Sequence, residues 1–314
     1  MVNYYKTVDN KINKIDTMQA DCWISLIAPD ENEISMISKR FNIDPNDLRS
    51  ALDKDERSRI ENEDEYTMVL VNIPTLLVHT DQELYDTIPL AVFLAGKNVI
   101  TICTEETPVL KAFVTGKIKE FNTSMRSRFV LQVLYRTASL YLQYLREIDK
   151  KSEAIEANLH KSTENKELLE LLKLEKSLVY FTTALRSNET VMEKLFKNSN
   201  IKRYPEDDDL LDDVIVENKQ AIEMANIYSG VLSSMVDAFA SVISNNLNIV
   251  MKVLAIVTVV MAIPTMIFSA YGMNVSATGM PFAEDPYGFW TIIVISLILS
   301  AIVTVIISKM KMFK

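Results

Sequence analysis

Residues 253–283 read VLAIVTVVMAIPTMIFSAYGMNVSATGMPFA, 31 positions without an ionisable side chain, and residues 286–308 read PYGFWTIIVISLILSAIVTVIIS, another 23. An α-helix rises about 1.5 Å per residue, so roughly 20 apolar residues cross the hydrocarbon of a bilayer. Each run is long enough to span, and a buried helix of a soluble protein rarely stays uncharged for such a length. The flanks agree. Tyr287, Phe289 and Trp290 open the second run with rings suited to the lipid–water boundary, and Lys309, Lys311 and Lys314 follow it, the basic signature of a cytoplasmic end. Two crossings return the chain to its starting side, so residues 1–252 are expected in the cytoplasm too. Met1 to Lys11 is charged and lacks an apolar signal core, and Lys252 sits at the inner edge of the first run. The expectation is a plasma-membrane protein with both termini inside and an external loop over 271–286, whose only charges are Glu284 and Asp285.

Composition narrows the chemistry. A net charge of −9 argues against a nucleic-acid partner, which wants a basic face. Cys22 and Cys103 are two thiols far apart in a chain expected in a reducing compartment, so they read as buried small hydrophobes. His79 and His160 are the only histidines, which leaves no His/Cys cluster for a soft metal. A metal handled by this chain meets oxygen ligands. The six glycines form no phosphate-binding loop, and no nucleophile elbow or catalytic histidine pattern stands out, so neither ATP-driven pumping nor an enzyme is supported.

Upstream of the spans, residues 1–117 alternate β-rich runs (Cys22–Ile27, Tyr66–Ile73, Thr87–Ala95, Asn98–Cys103) with helical spacing at Asn32–Phe41 and Pro45–Leu52, the latter with Asp44 as N-cap and Pro45 at the first helical position. This predicts a cytoplasmic α/β domain. The acidic stretch Glu61–Glu65 reads as a solvated turn. Residues 118–200 are expected to form a helical hairpin, Ser124 to His160 and Thr163 to Lys197, because neither Gly nor Pro interrupts 124–197. A break at Asn198–Pro205 precedes a third segment, 206–270, read as one helix continuing from cytoplasm into membrane. From Asp208 to Ala270 it has 63 residues, about 95 Å. Pro264 lies inside it, where neighbouring helices or water must satisfy the freed carbonyl. The second span is 287–308 and the basic tail 309–314.

Alternating steps of four and three along this helix from Gly230 pass through Ser234, Asp237, Ser241, Ser244, Asn248, Met251, Ala255, Thr258, Ala262, Thr265 and Ser269. A 3.5-residue period keeps one stripe facing a common axis in a left-handed bundle. Ordinary coiled coils fill that stripe with Leu and Ile; here it is small or polar, and predicts a water-lined axis. Small residues and hydroxyls also let helices pack closely in lipid without a pore. The extension of the stripe into the cytoplasmic half favours the pore, since packing there would bury Asp237 unpaired, whereas a ring of Asp237 suits a cation path. Between Asn248 and Ser269 the stripe offers amide and hydroxyl oxygens but no carboxylate, which suits Mg2+, an ion that gives up its water reluctantly. Met251 and the neighbouring Leu254 are the expected dewetting gate.

Tyr271-Gly272-Met273-Asn274 after a proline-containing span, followed by a second span and a basic tail, resembles the CorA family of magnesium/cobalt transporters. The likeness covers the whole chain, including Trp23-Ile24, Phe41-Asn42-Ile43-Asp44-Pro45, Glu217-Asn218-Lys219-Gln220 and Met251-Lys252-Val253-Leu254. It implies a funnel-shaped homopentamer in lipid, with Gly272, Met273 and Asn274 as selectivity filter and Asp237, Asn248, Met251, Leu254 and Thr265 facing the pore. It also implies sensing of internal Mg2+ by carboxylates at subunit contacts. Asp213, in a run with six carboxylates in the eight positions Glu206–Asp213, matches one side of such a sensor, with Asp209 beside it. The usual acidic partners are replaced by Arg49 and Ser50, leaving Asp53, Asp55 or Glu56 as substitutes. The same six carboxylates also suit a helix N-terminus and need bind nothing. Pro264 lies one residue nearer the signature than in well-known members. The expected function is influx of Mg2+, with cobalt and nickel as further cargo, driven by an inside-negative potential worth about 2.3 kcal/mol per charge per 100 mV. The alternatives are a zinc or other transition-metal transporter of the same superfamily, and a membrane-anchored scaffold without a pore.

Overall fold

The computed structural model describes residues 1–79, 82–159, 165–197, 205–274, 279–282 and 285–309. His160, Thr163, the break at 198–204, Glu284, Lys311 and Lys314 lie outside the described residues. The chain divides into two compact units, Met1–Val236 and Asp237–Lys314.

The first unit is built on a seven-stranded mixed sheet of order β2-β1-β3-β7-β6-β5-β4. Its strands are β1 (Val2–Val8), β2 (Lys11–Ile15), β3 (Trp23–Ile27), β4 (Arg59–Asn62), β5 (Tyr66–His79), β6 (Gln82–Ala95) and β7 (Asn98–Cys103). All neighbours are antiparallel except β3 and β7, which run parallel with Trp23 opposite Val99 and Ile27 opposite Cys103. The two central strands are covered on both faces, which is why every residue of β7 is buried. Side chains alternate across a strand, so Ile24 and Leu26 enter one core while Trp23 enters the other. Ile24 and Leu26 meet Ile34 and Ile37 of α1 (Glu31–Phe41) and Leu48 of α2 (Pro45–Ser50). On the opposite face Trp23 stacks edge-on against Phe113 of α3 (Pro108–Val114) and Phe129 of α4 (Arg126–Leu159), and its indole N–H donates to Thr101 Oγ1 at 2.8 Å. α4 and α5 (Asn165–Lys197) pack as a pair, and both lie over β5 and β6.

Local chemistry explains the helix starts. Asp30 and Glu33 form a reciprocal capping box at α1, and Asp44 Oδ1 accepts the Asn46 N–H at 2.8 Å ahead of Pro45. Thr107 caps α3 in the same way, with Pro108 at its first turn. β1, β2, β4 and α3 add to the elements read from sequence. Glu61 and Asn62, read as part of a solvated turn, pair with Met68 and Thr67 as the end of β4.

The side-chain amide of Asn188 on α5 completes the sheet where β4 stops. It accepts the Asn72 N–H at 3.0 Å and donates to the Asn72 carbonyl at 2.8 Å, standing in for one peptide of a longer β4. Ser58 and Tyr141 close the same network, so these buried polar atoms are paired.

α6 (Pro205–Tyr271) runs through both units as one helix of 67 residues with Pro264 inside it. α7 (Gly288–Lys309) completes the second unit. Both are long and apolar enough to cross a membrane.

Candidate functional site

α6 carries two faces in one register. Steps of four and three from Asp207 reach Leu211, Val214, Asn218, Ala221, Ala225, Tyr228, Leu232 and Met235, all buried in the first unit except the half-buried Tyr228. Asn218 fixes this face by donating to the Leu185 carbonyl at 3.2 Å, beside Ser139–Glu217 and Arg186–Asn226 contacts. Continued along the helix, the same count passes buried Phe239 and then exposed Val242, Asn246, Ile249 and Val253 before it reaches Ile256, Val260, Ile263 and Ile267, each half-buried. From Leu232 onward, the stripe read from sequence lies two residues on from each of these positions. At about 100° per residue that is roughly 200°, the opposite face of the helix.

In the single chain that opposite face is bare. Asp237, Ser241, Ser244, Asn248, Met251, Leu254, Ala255, Thr258, Ala262, Thr265 and Ser269 are all exposed. Leu254 stands one residue off the stripe. The hydroxyls there are turned back onto their own helix: Ser241 donates to the Asp237 carbonyl at 3.0 Å, Thr258 to Leu254 at 2.8 Å and Thr265 to Met261 at 2.9 Å. With the hydrogen used internally, each oxygen presents its remaining lone-pair side outward, and an array of acceptors suits the outward hydrogens of water around a cation. α7 buries Gly288, Ser296 and Ser300 and half-buries Ile292, Val303 and Ile307 along one stripe. The polar stripe of α6 lies on the side of its helix opposite the half-buried residues Ile256, Val260, Ile263 and Ile267.

The outer end of α6 is closed by backbone chemistry. The Gly272 N–H reaches the carbonyls of Phe268 at 2.9 Å and Ser269 at 3.2 Å, ending the helix so that Gly272, Met273 and Asn274 leave it exposed. The Tyr271 hydroxyl donates to the Pro281 carbonyl at 2.8 Å, tying the start of the loop to its far limb. Phe282 takes a left-handed φ of 65°, and a Cβ at Gly288 would overlap its carbonyl oxygen. Asp285 accepts the Tyr287 N–H at 2.9 Å and so shapes the entry to α7. Sequence reasoning missed the Tyr271–Pro281 tie and the need for glycine at 288; a glycine at the head of a span was their only signal.

The carboxylates proposed from sequence as a sensor are surface groups in the single chain. Asp209 and Asp213 are exposed on α6, and Asp53 is exposed with its carboxylate accepting the Asp55 N–H at 3.0 Å. Among the described residues no group of three His, Cys, Asp or Glu is placed to hold a metal ion. Arg49 is bound to Glu31 at 2.7 Å, and Ser50 is buried, donating to the Asp47 carbonyl. The Arg49 guanidinium holds the Glu31 carboxyl below its usual range through their hydrogen bond. Cys22 and Cys103 are both free and buried, as read from sequence, and burial pushes the Cys103 thiol up to about 11.

Comparison with known proteins places these features in context. The family model described as CorA-like Mg2+ transporter protein matches residues 19–309. The cobalt/magnesium transport protein CorA of Methanocaldococcus jannaschii is 26% identical over 286 residues, covering 88% of this chain and 86% of that protein. The complete structure of the CorA magnesium transporter from the same organism aligns with a TM-score of 0.78 at 24% identity, over 98% of this chain and 96% of that one. Its soluble domain aligns with a TM-score of 0.66 at 23% identity, over 76% of this chain and 95% of that one.

Proposed function

Because this chain belongs to the CorA family of Mg2+ transporters, we propose that five copies assemble around the polar stripe of α6 and conduct hydrated Mg2+ into the cytoplasm down its electrochemical gradient. The observation that carries this reading is the two-faced register of α6. One side of α6 from Asp237 to Ser269 is exposed and, Met251 apart, small or polar, so association of copies through that side puts its oxygens on the axis and leaves α7 outside.

The stripe supplies three kinds of work. A ring of Asp237 concentrates divalent cations at the inner end. Asn248, Thr258 and Thr265 accept hydrogen bonds from the ion's own water, so no shell need be stripped inside the bilayer. Met251 and Leu254, the large apolar side chains at the inner mouth, close the path by excluding water. At the outer end Gly272, Met273 and Asn274 form the filter, the Asn274 amide oxygen meeting the hydrated ion, while Asp285 and Glu284 draw cations toward it. Asp209 and Asp213 on α6 and Asp53 of a neighbouring copy respond to internal Mg2+. The membrane is the plasma membrane, with both termini cytoplasmic. Cobalt and nickel, similar in size and charge, follow the same route.

The test is flux of Mg2+ into vesicles containing the full-length protein and an internal Mg2+-sensitive dye. The parent should carry gradient-driven flux, and Asn274→Ala should abolish it while the purified oligomer keeps its size. Equal flux in Asn274→Ala removes the filter assignment; no flux in the parent removes transport.

A further inference from the structure

Hydroxyl side chains in the two spans mostly serve their own helix. Thr258, Thr265, Thr291, Thr304 and Ser308 each donate to a backbone carbonyl three or four residues earlier, at 2.8 to 3.1 Å. Ser296 and Ser300 do not. They are 1% and 8% exposed, and neither Oγ has a hydrogen-bond partner. Leaving a hydroxyl unpaired in an apolar interior is costly, and the usual remedy, back-bonding to the preceding turn, is not used here.

A backbone acceptor of α6 also lacks its usual donor. Pro264 has no N–H to give the carbonyl of Val260, four residues earlier in α6. Val260 and Pro264 are both half-buried, on the side of α6 that also carries half-buried Ile256, Ile263 and Ile267. The depths also agree. The outer ends of the helices are joined through Tyr271–Pro281 and the Phe282–Gly288 approach. Val260 is eleven residues below Tyr271, about 16 Å along the axis, while Ser296 and Ser300 are eight and twelve residues below Gly288, about 12 and 18 Å. The Val260 carbonyl therefore falls between the two serine levels, beside a stripe whose small side chains leave room.

We propose that the Val260 carbonyl and the Ser296 and Ser300 hydroxyls hold one buried water between α6 and α7. Three polar partners are what a structural water needs, and this set supplies one acceptor and two groups that donate or accept. The site satisfies the proline-freed carbonyl and pins the ion-lining helix to its outer neighbour at the point where proline permits a bend. It concerns the pair of spans itself and holds whatever ion the assembly carries.

The test is a double-mutant cycle on the full-length protein in detergent, read as the unfolding temperature. Ser296→Ala should lower it by roughly 2–4 °C when Pro264 is present. Pro264→Ala restores an N–H to Val260, so in that background Ser296→Ala should cost less than half as much. Equal losses in both backgrounds, or none in either, overturn the site. If Pro264→Ala fails to assemble, a density map of the parent that resolves waters decides instead. Ordered density within hydrogen-bond reach of both Ser296 Oγ and the Val260 carbonyl supports the proposal. Hydroxyls turned back to the Ile292 and Ser296 carbonyls, with nothing between the helices, overturn it.

Discussion

At the scale of single residues, Asn188 shows how much one side chain can hold. Its amide replaces a missing peptide of β4 by pairing with both the N–H and the carbonyl of Asn72. Removing a buried partner leaves groups unsatisfied, at about 1–3 kcal/mol. Asn188→Ala is therefore expected to destabilise the first unit by about 2 kcal/mol, seen as an earlier urea midpoint with an unchanged slope. A parent-like midpoint would mean that the network is ornamental. Cys103 gives a pH-dependent prediction. Its thiol is pushed up to about 11 by burial, whereas an unfolded thiol titrates near 8.5. The unfolded chain loses its proton first as pH rises, so this group makes stability fall between about pH 9 and pH 11. At pH 8 iodoacetamide should leave Cys103 intact until the chain unfolds, as mass spectrometry of the labelled protein will report. Rapid labelling of the native protein would contradict the buried assignment.

At the scale of elements, legibility followed length and period. The span helices and β7 stood out because each is a long or fully buried apolar run. Asp44-Pro45 announced α2 through its cap, and Thr107-Pro108 carried the same signal for α3, which went unread because the helix has only seven residues. β1 and β2 lack clean alternation: β1 is half-buried at nearly every position, and the edge strand β2 mixes half-buried isoleucines with exposed lysines. β4 is four residues with two charges, and its strand character comes from pairing with β5. Strand order follows from long-range pairing that no local pattern records. The polar stripe of α6 was legible as a period of small and polar residues, whereas its bare state and its placement opposite the buried stripe needed coordinates. The two faces give opposite expectations. Val214→Asn puts an amide into the buried stripe and should lower the unfolding temperature or prevent folding. Ser241→Leu on the bare stripe should leave that temperature within about 2 °C of the parent while cutting Mg2+ flux at least tenfold, because it narrows and dries the axis. Full flux in Ser241→Leu would place that residue away from the ion.

At the scale of the whole molecule, the division of labour follows from the solvent each part meets. The first unit buries its apolar residues against a sheet covered on both faces, while α7 leaves large apolar side chains such as Leu297, Ile298 and Val305 exposed, a surface suited to lipid. What the single chain leaves exposed is a largely polar stripe on a helix long and apolar enough to cross a membrane, and the proposed assembly of copies accounts for it by enclosing water and ions. The central claim is thus an arrangement of copies, and direct imaging of the reconstituted full-length protein tests it most directly. A fivefold ring with α6 innermost and Asp237, Thr258, Thr265 and Asn274 lining an open axis is the expected result. A ring with α7 innermost, or α6 helices interlocked along that stripe with no conduit between them, would contradict it.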